Sequence, residues 1–297
     1  MYLGSVRFFK HVILGAIILM ITIPTAIAIN FGLQLQAIQA EQGISETVSE
    51  EKELLSLPVY GSELEYQNLF PDLMVDPAEA QTADKKVIYL TFDDGPSERT
   101  MELLELLDQE KIKATFFVTG KTDPASKEIL KAITERGHAI GIHSYSHRYD
   151  EIYQSTASFL QDFQAQYQLI YEVTGVKPEI FRFPGGSINA YNAATYQEII
   201  AEMTRRGFVY FDWNASSGDA ELNATTQKII QESLSKIGQS ERIILLAHDS
   251  TGKETTVKAL PAIIQGYKEA GYGFQPLSKA VKPIFFSYGK PGMGNDE

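Results

Sequence analysis

The apolar run VIYLTF (87–92) ends in two adjacent carboxylates, Asp93 and Asp94, and Gly95-Pro96 follows at once. Neighbouring like charges oppose each other's ionisation unless a cation or a basic side chain stands beside them. Successive side chains at the end of a strand point in different directions, so the two carboxylates can take separate tasks. One can ligate a metal while the other faces a water. A second cluster, HSYSH, places His143 and His147 four residues apart. On a helical turn that spacing puts both rings on one face, where they can share a metal. The zinc-protease motif uses the same spacing but needs Glu directly after the first His, and Ser144 stands there. Two His and one carboxylate leave positions open for water and substrate. A metal so held lowers the pKa of a water from about 15.7 toward about 7, and the free carboxylate can then take its proton. Non-haem iron oxygenases use the same ligand types. Their carboxylate follows two residues after the first His in an all-β frame, and this chain has neither feature.

Further candidates fall at the ends of other apolar runs: Arg182 and Pro184-Gly185-Gly186 after EIF, Asp212 and Trp213 after FVYF, Asp219 shortly beyond, and His248-Asp249 after RIILLA. Each has an ordinary structural reading. Arg182 reads as a surface ion pair, Pro-Gly-Gly as a turn, Asp219 as a loop residue and His248 as a strand-end histidine. Their shared placement is what joins them.

The elements that would position them begin at Lys86. Short apolar runs at 87–92, 114–120, 138–144, 179–184, 208–213 and 242–248 alternate with segments of helical period at 98–110, 124–137, 156–174, 193–207, 224–238 and 255–271. That alternation predicts an α/β fold with a parallel sheet covered by helices. About seven units predict a deformed (β/α) barrel, whose active site lies where the strands end.

TFDDGPS (91–97), HSYSH (143–147), RFPGG (182–186), DWNASSGDA (212–220) and LLAH (245–248) resemble, in that order, the five motifs of the NodB-homology polysaccharide deacetylases, carbohydrate esterase family 4. The resemblance covers roughly residues 86–275. It implies a metal-dependent hydrolase that removes acetyl groups from N-acetylated sugars of a polymer. By motif match, Asp93 is the general base, and Asp94, His143 and His147 hold one divalent ion, usually Zn2+, with Co2+, Mn2+ or Ni2+ as alternatives. Arg182 orients Asp93. His248 is the general acid, tuned by Asp219, and Leu246 lines the pocket for the acetyl methyl. The backbone N–H of Gly185 faces the oxyanion. Two positions depart from the pattern: Gly185 stands where Tyr is usual and Ala220 where Trp is usual. Trp213 is the candidate to fill part of the missing wall.

The 297 residues carry a net charge of −12. Residues 41–80 hold ten acidic side chains against one lysine, so most of the acidity belongs to that stretch, which reads as a solvated linker. The remainder is mildly acidic, and phosphate binding needs a basic face, which argues against nucleic acid as a partner. The chain has no cysteine, so disulfides and thiolate chemistry are excluded. Residues 12–29 (VILGAIILMITIPTAIAI) hold no charge and follow Arg7, Lys10 and His11. They read as a single-pass membrane anchor with the catalytic domain outside the cytoplasm, or as a signal peptide cleaved after Ala28 and a secreted product. The expected organisation is a cytoplasmic tip and anchor (1–30), an acidic linker (31–85) whose later part lies against the domain, a deacetylase domain (86–280) and a tail (281–297). An exported enzyme of this kind points to cell-wall glycan, peptidoglycan above all, as the acetylated polymer. Chitin oligomers, an exopolysaccharide or acetylxylan are the rival substrates, and a non-catalytic glycan-binding wall protein is the rival of another class. The sequence names no protein partner.

Overall fold

The computed structural model of the chain describes residues 64–77 and 85–287. In chain order the elements are β1 (Val87–Asp93), α1 (Glu98–Gln109), β2 (Thr115–Thr119), α2 (Pro124–Glu135), β3 (Ala139–Ser144), the single turn α3 (Tyr149–Ile152), α4 (Thr156–Thr174), β4 (Ile180–Phe181), α5 (Tyr196–Arg205), β5 (Val209–Tyr210), β6 (Ala215–Ser216), α6 (Thr226–Leu234), β7 (Arg242–His248), α7 (Glu254–Glu269) and β8 (Gly273–Phe274). The strands pair in parallel in the order β5-β4-β3-β2-β1-β7-β6, and β8 pairs with the start of β1. This is the order met on walking around a barrel wall, opened between β5 and β6. The expected deformed barrel is therefore present as a parallel α/β half-barrel of seven strands.

The helices start and stop where their end groups can be satisfied. Ser97, Asp123 and Ser155 accept hydrogen bonds from the first-turn N–H groups of α1, α2 and α4. Gly175, at φ 73°, ends α4 in the left-handed conformation that Gly adopts without a Cβ penalty.

Strands buried on both faces read as continuous apolar runs, and side-chain alternation sorts them. Ile88, Leu90 and Phe92 of β1 join Phe116, Val118, Ile243 and Leu245 in the large core under the helices. Val87 and Tyr89 turn the other way and meet Phe117, Ile180, Phe211 and Ile244 in the barrel interior. The same period of two puts Thr91, Asp93, Leu246 and His248 on the inner face, so the chemistry forms the top layer of the barrel filling.

The seam is where the structure departs from the expected run 208–213. Strands β4, β5 and β6 have two residues each, and no helix separates β5 from β6. In the run 179–184 the Arg182 N–H still bonds the Ile142 carbonyl, but Pro184 has no N–H to extend a ladder. Residues 281–287 lie in the opening. The Asp212 N–H donates to the Ile284 carbonyl (2.9 Å), the Phe286 N–H donates to Asp212 Oδ2 (2.6 Å), and Phe285 and Phe286 pack on Tyr210 and Trp213. This segment, part of the expected tail (281–297), covers the barrel's open side.

The stretch 64–77 is likewise held to the domain. Arg206, fully buried, donates to the carbonyls of Leu69, Phe70 and Leu73 and pairs with Glu202 at 2.7 Å. Residues 12–29, read above as anchor or signal, lie outside the described residues. Among the described residues no helix is long and apolar enough to cross a membrane.

Candidate active site

The doublet divides its labour by a backbone device. Asp93 ends β1 on the inner face, and Asp94 adopts φ 75°, a left-handed conformation uncommon outside Gly. That reversal sends the two carboxylates apart. Asp93 Oδ1 meets Arg182 Nη1 at 2.9 Å, while Asp94 Oδ1 lies 3.4 Å from His143 Nε2 and 3.2 Å from His147 Nε2. Asp93 Oδ2, on the other side of the carboxylate, stands 3.9 Å from His143 Nε2.

His143 and His147 do meet, but not on a helical turn as their spacing suggests. Strand β3 carries His143 and ends at Ser144; residues 145–148 form a turn, with His147 itself at φ 56°. The turn is built on Asp162 of α4. Its carboxylate accepts the Ser144 hydroxyl (2.6 Å) and the N–H groups of Tyr145 (2.7 Å) and Ser146 (2.8 Å), and Ser144 Oγ accepts the His147 N–H (2.8 Å). A helical path here would break this set of bonds.

The three-residue cluster has the donor set of a divalent-metal site. One ligand atom each from Asp94, His143 and His147 lies within 4.8 Å of the others. His143 Nδ1 bonds the Arg182 carbonyl at 2.9 Å, and a carbonyl only accepts, so Nδ1 carries the proton and Nε2 presents a lone pair. Asp94 Oδ1 and His147 Nε2 are buried and have no hydrogen-bond partner among the described residues. Buried polar atoms left in that state cost stability, and a cation between them and His143 Nε2 would relieve both. Burial opposes ionisation of Asp94, but the neighbouring His143 and His147 rings outweigh it and hold the carboxyl below the ordinary range. Burial likewise lowers the His143 pKa, and the charges of Asp93 and Asp94 more than reverse it.

Arg182 is fully buried in the barrel. It donates to Asp93, to Thr91 Oγ1 (2.6 Å) and, through Nε, to the Phe211 carbonyl (2.9 Å), with its guanidinium over the Phe117 ring. A buried guanidinium needs such a set of acceptors, and they lock its orientation toward Asp93. The surface ion-pair reading of Arg182 is therefore excluded. Thr91, part of TFDDGPS but not among the candidate site residues, relays the network by donating to the Leu245 carbonyl at 2.7 Å.

The other wall is β7. Its register places His248 directly opposite Asp93. His248 Nδ1 meets Asp219 Oδ1 at 2.7 Å, and Asp219 Oδ2 accepts the His248 N–H and the Thr256 hydroxyl, both at 2.8 Å. Burial lowers the His248 pKa, but the Asp219 bond and charge carry it above the ordinary histidine value. Asp249 is buried beside this pair and accepts the Thr100 hydroxyl at 2.5 Å. Burial, reinforced by the charges of Asp94 and Asp93, pushes its carboxyl up to about 7. Gly95 is required here, since an added Cβ would run into the Asp249 carboxylate.

Leu246 faces the interior one layer below His248. Gly185 takes φ 75° beside Tyr149. Trp213 packs between Gly186, Phe286 and the Arg182 guanidinium, while Ala220 is exposed.

Residues 80–204 match the family model described as polysaccharide deacetylase. A peptidoglycan-N-acetylglucosamine deacetylase of Bacillus cereus is 32% identical over 204 residues, covering 67% of this chain and 72% of its own. The chain belongs to the polysaccharide deacetylase family. Among solved structures, the catalytic domain of peptidoglycan N-acetylglucosamine deacetylase from Eubacterium rectale superposes with a TM-score of 0.67 at 37% identity, covering 72% of this chain and 98% of that one. The polysaccharide deacetylase Bc1974 from Bacillus cereus gives 0.61 at 31%, covering 68% and 97%. As a polysaccharide deacetylase the chain is an enzyme, and the rival reading as a non-catalytic wall protein is not favoured.

Proposed function

We propose that this polysaccharide deacetylase removes N-acetyl groups from amino sugars of peptidoglycan, with one divalent ion, foremost Zn2+, held by Asp94, His143 and His147. The observation that carries this reading is the convergence of three ligand atoms, from Asp94, His143 and His147, within 4.8 Å of one another beside a carboxylate that Arg182 holds ready. The Bacillus cereus and Eubacterium rectale relatives are both named for peptidoglycan, which supports that polymer over chitin oligomers, exopolysaccharide or acetylxylan. The apolar stretch 12–29 supports placement outside the cytoplasm, anchored or cleaved after Ala28.

A cation at the cluster supplies Lewis-acid polarisation of the amide carbonyl and a water of lowered pKa. Asp93 takes the proton of the attacking water on Oδ2, the oxygen that Arg182 does not occupy. The water oxygen forms the new C–O bond, and the Gly185 N–H is the donor for the carbonyl oxygen as it gains charge. His248, kept protonated by Asp219, gives its Nε2 proton to the leaving nitrogen as the C–N bond breaks. The products are acetate and a free amine.

Asp93→Asn removes the base and leaves the ligand atoms in place. Acetate release from peptidoglycan should fall about 100- to 10 000-fold, while Zn2+ still raises the melting temperature of the variant. Release at the parental rate would exclude Asp93 as the base, and chelator-resistant release by the parental chain would exclude the metal.

A further inference from the structure

Gly185 leaves a space, and a ring from elsewhere in the chain fills it. A Cβ built on Gly185 would come 2.7 Å from Tyr149 Cε1 and 3.4 Å from its hydroxyl oxygen. The Tyr149 ring stands edge-on to His147 at 5.3 Å and to Tyr191 at 5.2 Å. Tyr149 arrives from the turn after HSYSH, and Tyr191 from the loop after RFPGG. That loop is braced by Asn189, which donates to the Pro184 and Gly186 carbonyls and accepts the Tyr191 N–H. Two segments thus bring two rings to one corner beside the ligand cluster.

The rings of this corner differ in what their hydroxyls do. Tyr153, buried behind Tyr149, donates to the Pro184 carbonyl at 2.7 Å and is thereby a structural tyrosine. The Tyr149 hydroxyl has no protein hydrogen-bond partner among the described residues, although the side chain is half-buried. Tyr191 is 61% exposed, high for a large aromatic ring. A half-buried ring with an unused donor, continued by an exposed ring, is the composition of a ligand wall: apolar faces for contact and one polar tip for orientation. Pyranose rings suit it, since they present a C–H face that stacks on aromatics and a rim of hydroxyls.

We propose that Tyr149 and Tyr191 form the sugar-binding wall of this site. Tyr149 contacts the acetylated sugar through its ring face and hydroxyl, and Tyr191 extends the wall to the next sugar of the chain. The absence of a side chain at Gly185 is then the condition for Tyr149 to stand there. This inference rests on the deacetylase reading above and adds where the glycan lies.

The test uses the full chain loaded with Zn2+ and N-acetylglucosamine dimer, tetramer and hexamer, with acetate release measured to separate KM from kcat. Tyr149→Phe removes only the hydroxyl and should raise KM for all three substrates by about three- to tenfold with kcat little changed, the mark of lost uniform binding. Tyr191→Ala should raise KM for the hexamer and tetramer more than for the dimer. Both variants should keep the parental Zn2+ affinity. KM unchanged in both, or a loss confined to Zn2+ affinity and kcat, would overturn the wall and leave Tyr149 as a support for His147. No acetate release by the parental chain from any glycan would overturn the deacetylase reading, and this inference with it.

Discussion

The two sides of the active-site mouth are built on opposite principles. On the β7 side, Asp219 and His248 are joined by two short hydrogen bonds, and Thr256 fills a further acceptor position. On the β1–β3 side, Asp94 and the two histidines face one another at 3.2 and 3.4 Å, and Asp94 Oδ1 and His147 Nε2 are buried with no hydrogen-bond partner among the described residues. Two of the residues that shape that side, Asp94 and His147, sit in the left-handed region. Such backbone conformations cost about 1 kcal/mol or more each and persist where the surroundings impose them. The difference teaches that one side is complete as folded and holds a proton ready. The other gathers polar atoms that, on the proposed reading, a cation would satisfy. Arg182 stands between, tying Asp93 to the barrel wall.

Breaking the incomplete side should have the largest effect. His143→Ala removes the ligand that is best oriented, since its Nδ1–H is fixed on the Arg182 carbonyl. Acetate release should drop about 1000-fold or more, as expected when a charge-stabilising group is lost. The same variant tests the cation directly. At a hundredfold excess over its Kd, Zn2+ should stabilise the parental chain by about 2.7 kcal/mol, a rise in Tm of roughly 5 to 10 °C. His143→Ala should lose that rise. An equal Zn2+ shift in parent and variant would show that the ion binds elsewhere.

Breaking the complete side should be milder and should appear in the pH profile. Burial lowers the His248 pKa, and Asp219 does most to raise it above the ordinary value, with the charges of Asp93 and Asp94 adding to it. Asp219→Asn should lower activity roughly tenfold to a hundredfold. Because the proposed reaction needs His248 protonated, the alkaline limb of kcat should move to lower pH in the variant. The linkage to stability has a definite sign. A histidine whose folded pKa is raised contributes stability that is fully present below its unfolded pKa and lost as pH rises through the folded value. Asp219, whose carboxyl burial raises but the His248 bonds lower further, contributes above the ordinary carboxylate range and loses that contribution as pH falls through its depressed value. The pair therefore supports the fold most between these limits. A pH profile in which Asp219→Asn leaves the alkaline limb unmoved would remove Asp219 from its assigned role.

The asymmetry also explains what was legible in the sequence. Asp93, His143, Arg182 and His248 end apolar runs, and strand period alone puts them at one rim. Helix α4 is bounded by Ser155 and Gly175, and its expected span, 156–174, matches the structure. The turn geometry was not legible. Histidines four apart suggest a helix, yet His147 reaches the cluster through a left-handed residue because Asp162 collects the preceding N–H groups. Nothing near Asp162 in sequence marks it out from an exposed acid on an amphipathic helix; its role appears only when α4 docks on β3. The seam was hidden for a similar reason. FVYFDW looks like one strand, but closure there comes from residues 281–287, some 70 positions later.

Asp162 offers the finest test of the contrast, because it acts on the incomplete side without touching the cation. Its three hydrogen bonds fix Ser144, Tyr145 and Ser146, and Ser144 passes the constraint to the His147 N–H. Asp162→Ala should let the turn relax toward less strained backbone, so His147 Nε2 spends less time facing Asp94. Supports of this kind typically change metal affinity about 10- to 100-fold. The lower end applies here, since His143 and Asp94 keep their own anchors. Zn2+ affinity, measured by competition with a chelator, should fall about tenfold. Activity should fall at limiting Zn2+ and return near the parental kcat at saturation, because Asp93 and His248 are undisturbed. Asp162→Asn, which keeps one carbonyl oxygen as acceptor, should lie between the two. If Zn2+ affinity in Asp162→Ala equals that of the parent, the turn holds its shape without Asp162, and the strain at His147 is imposed by the neighbouring β3 strand alone.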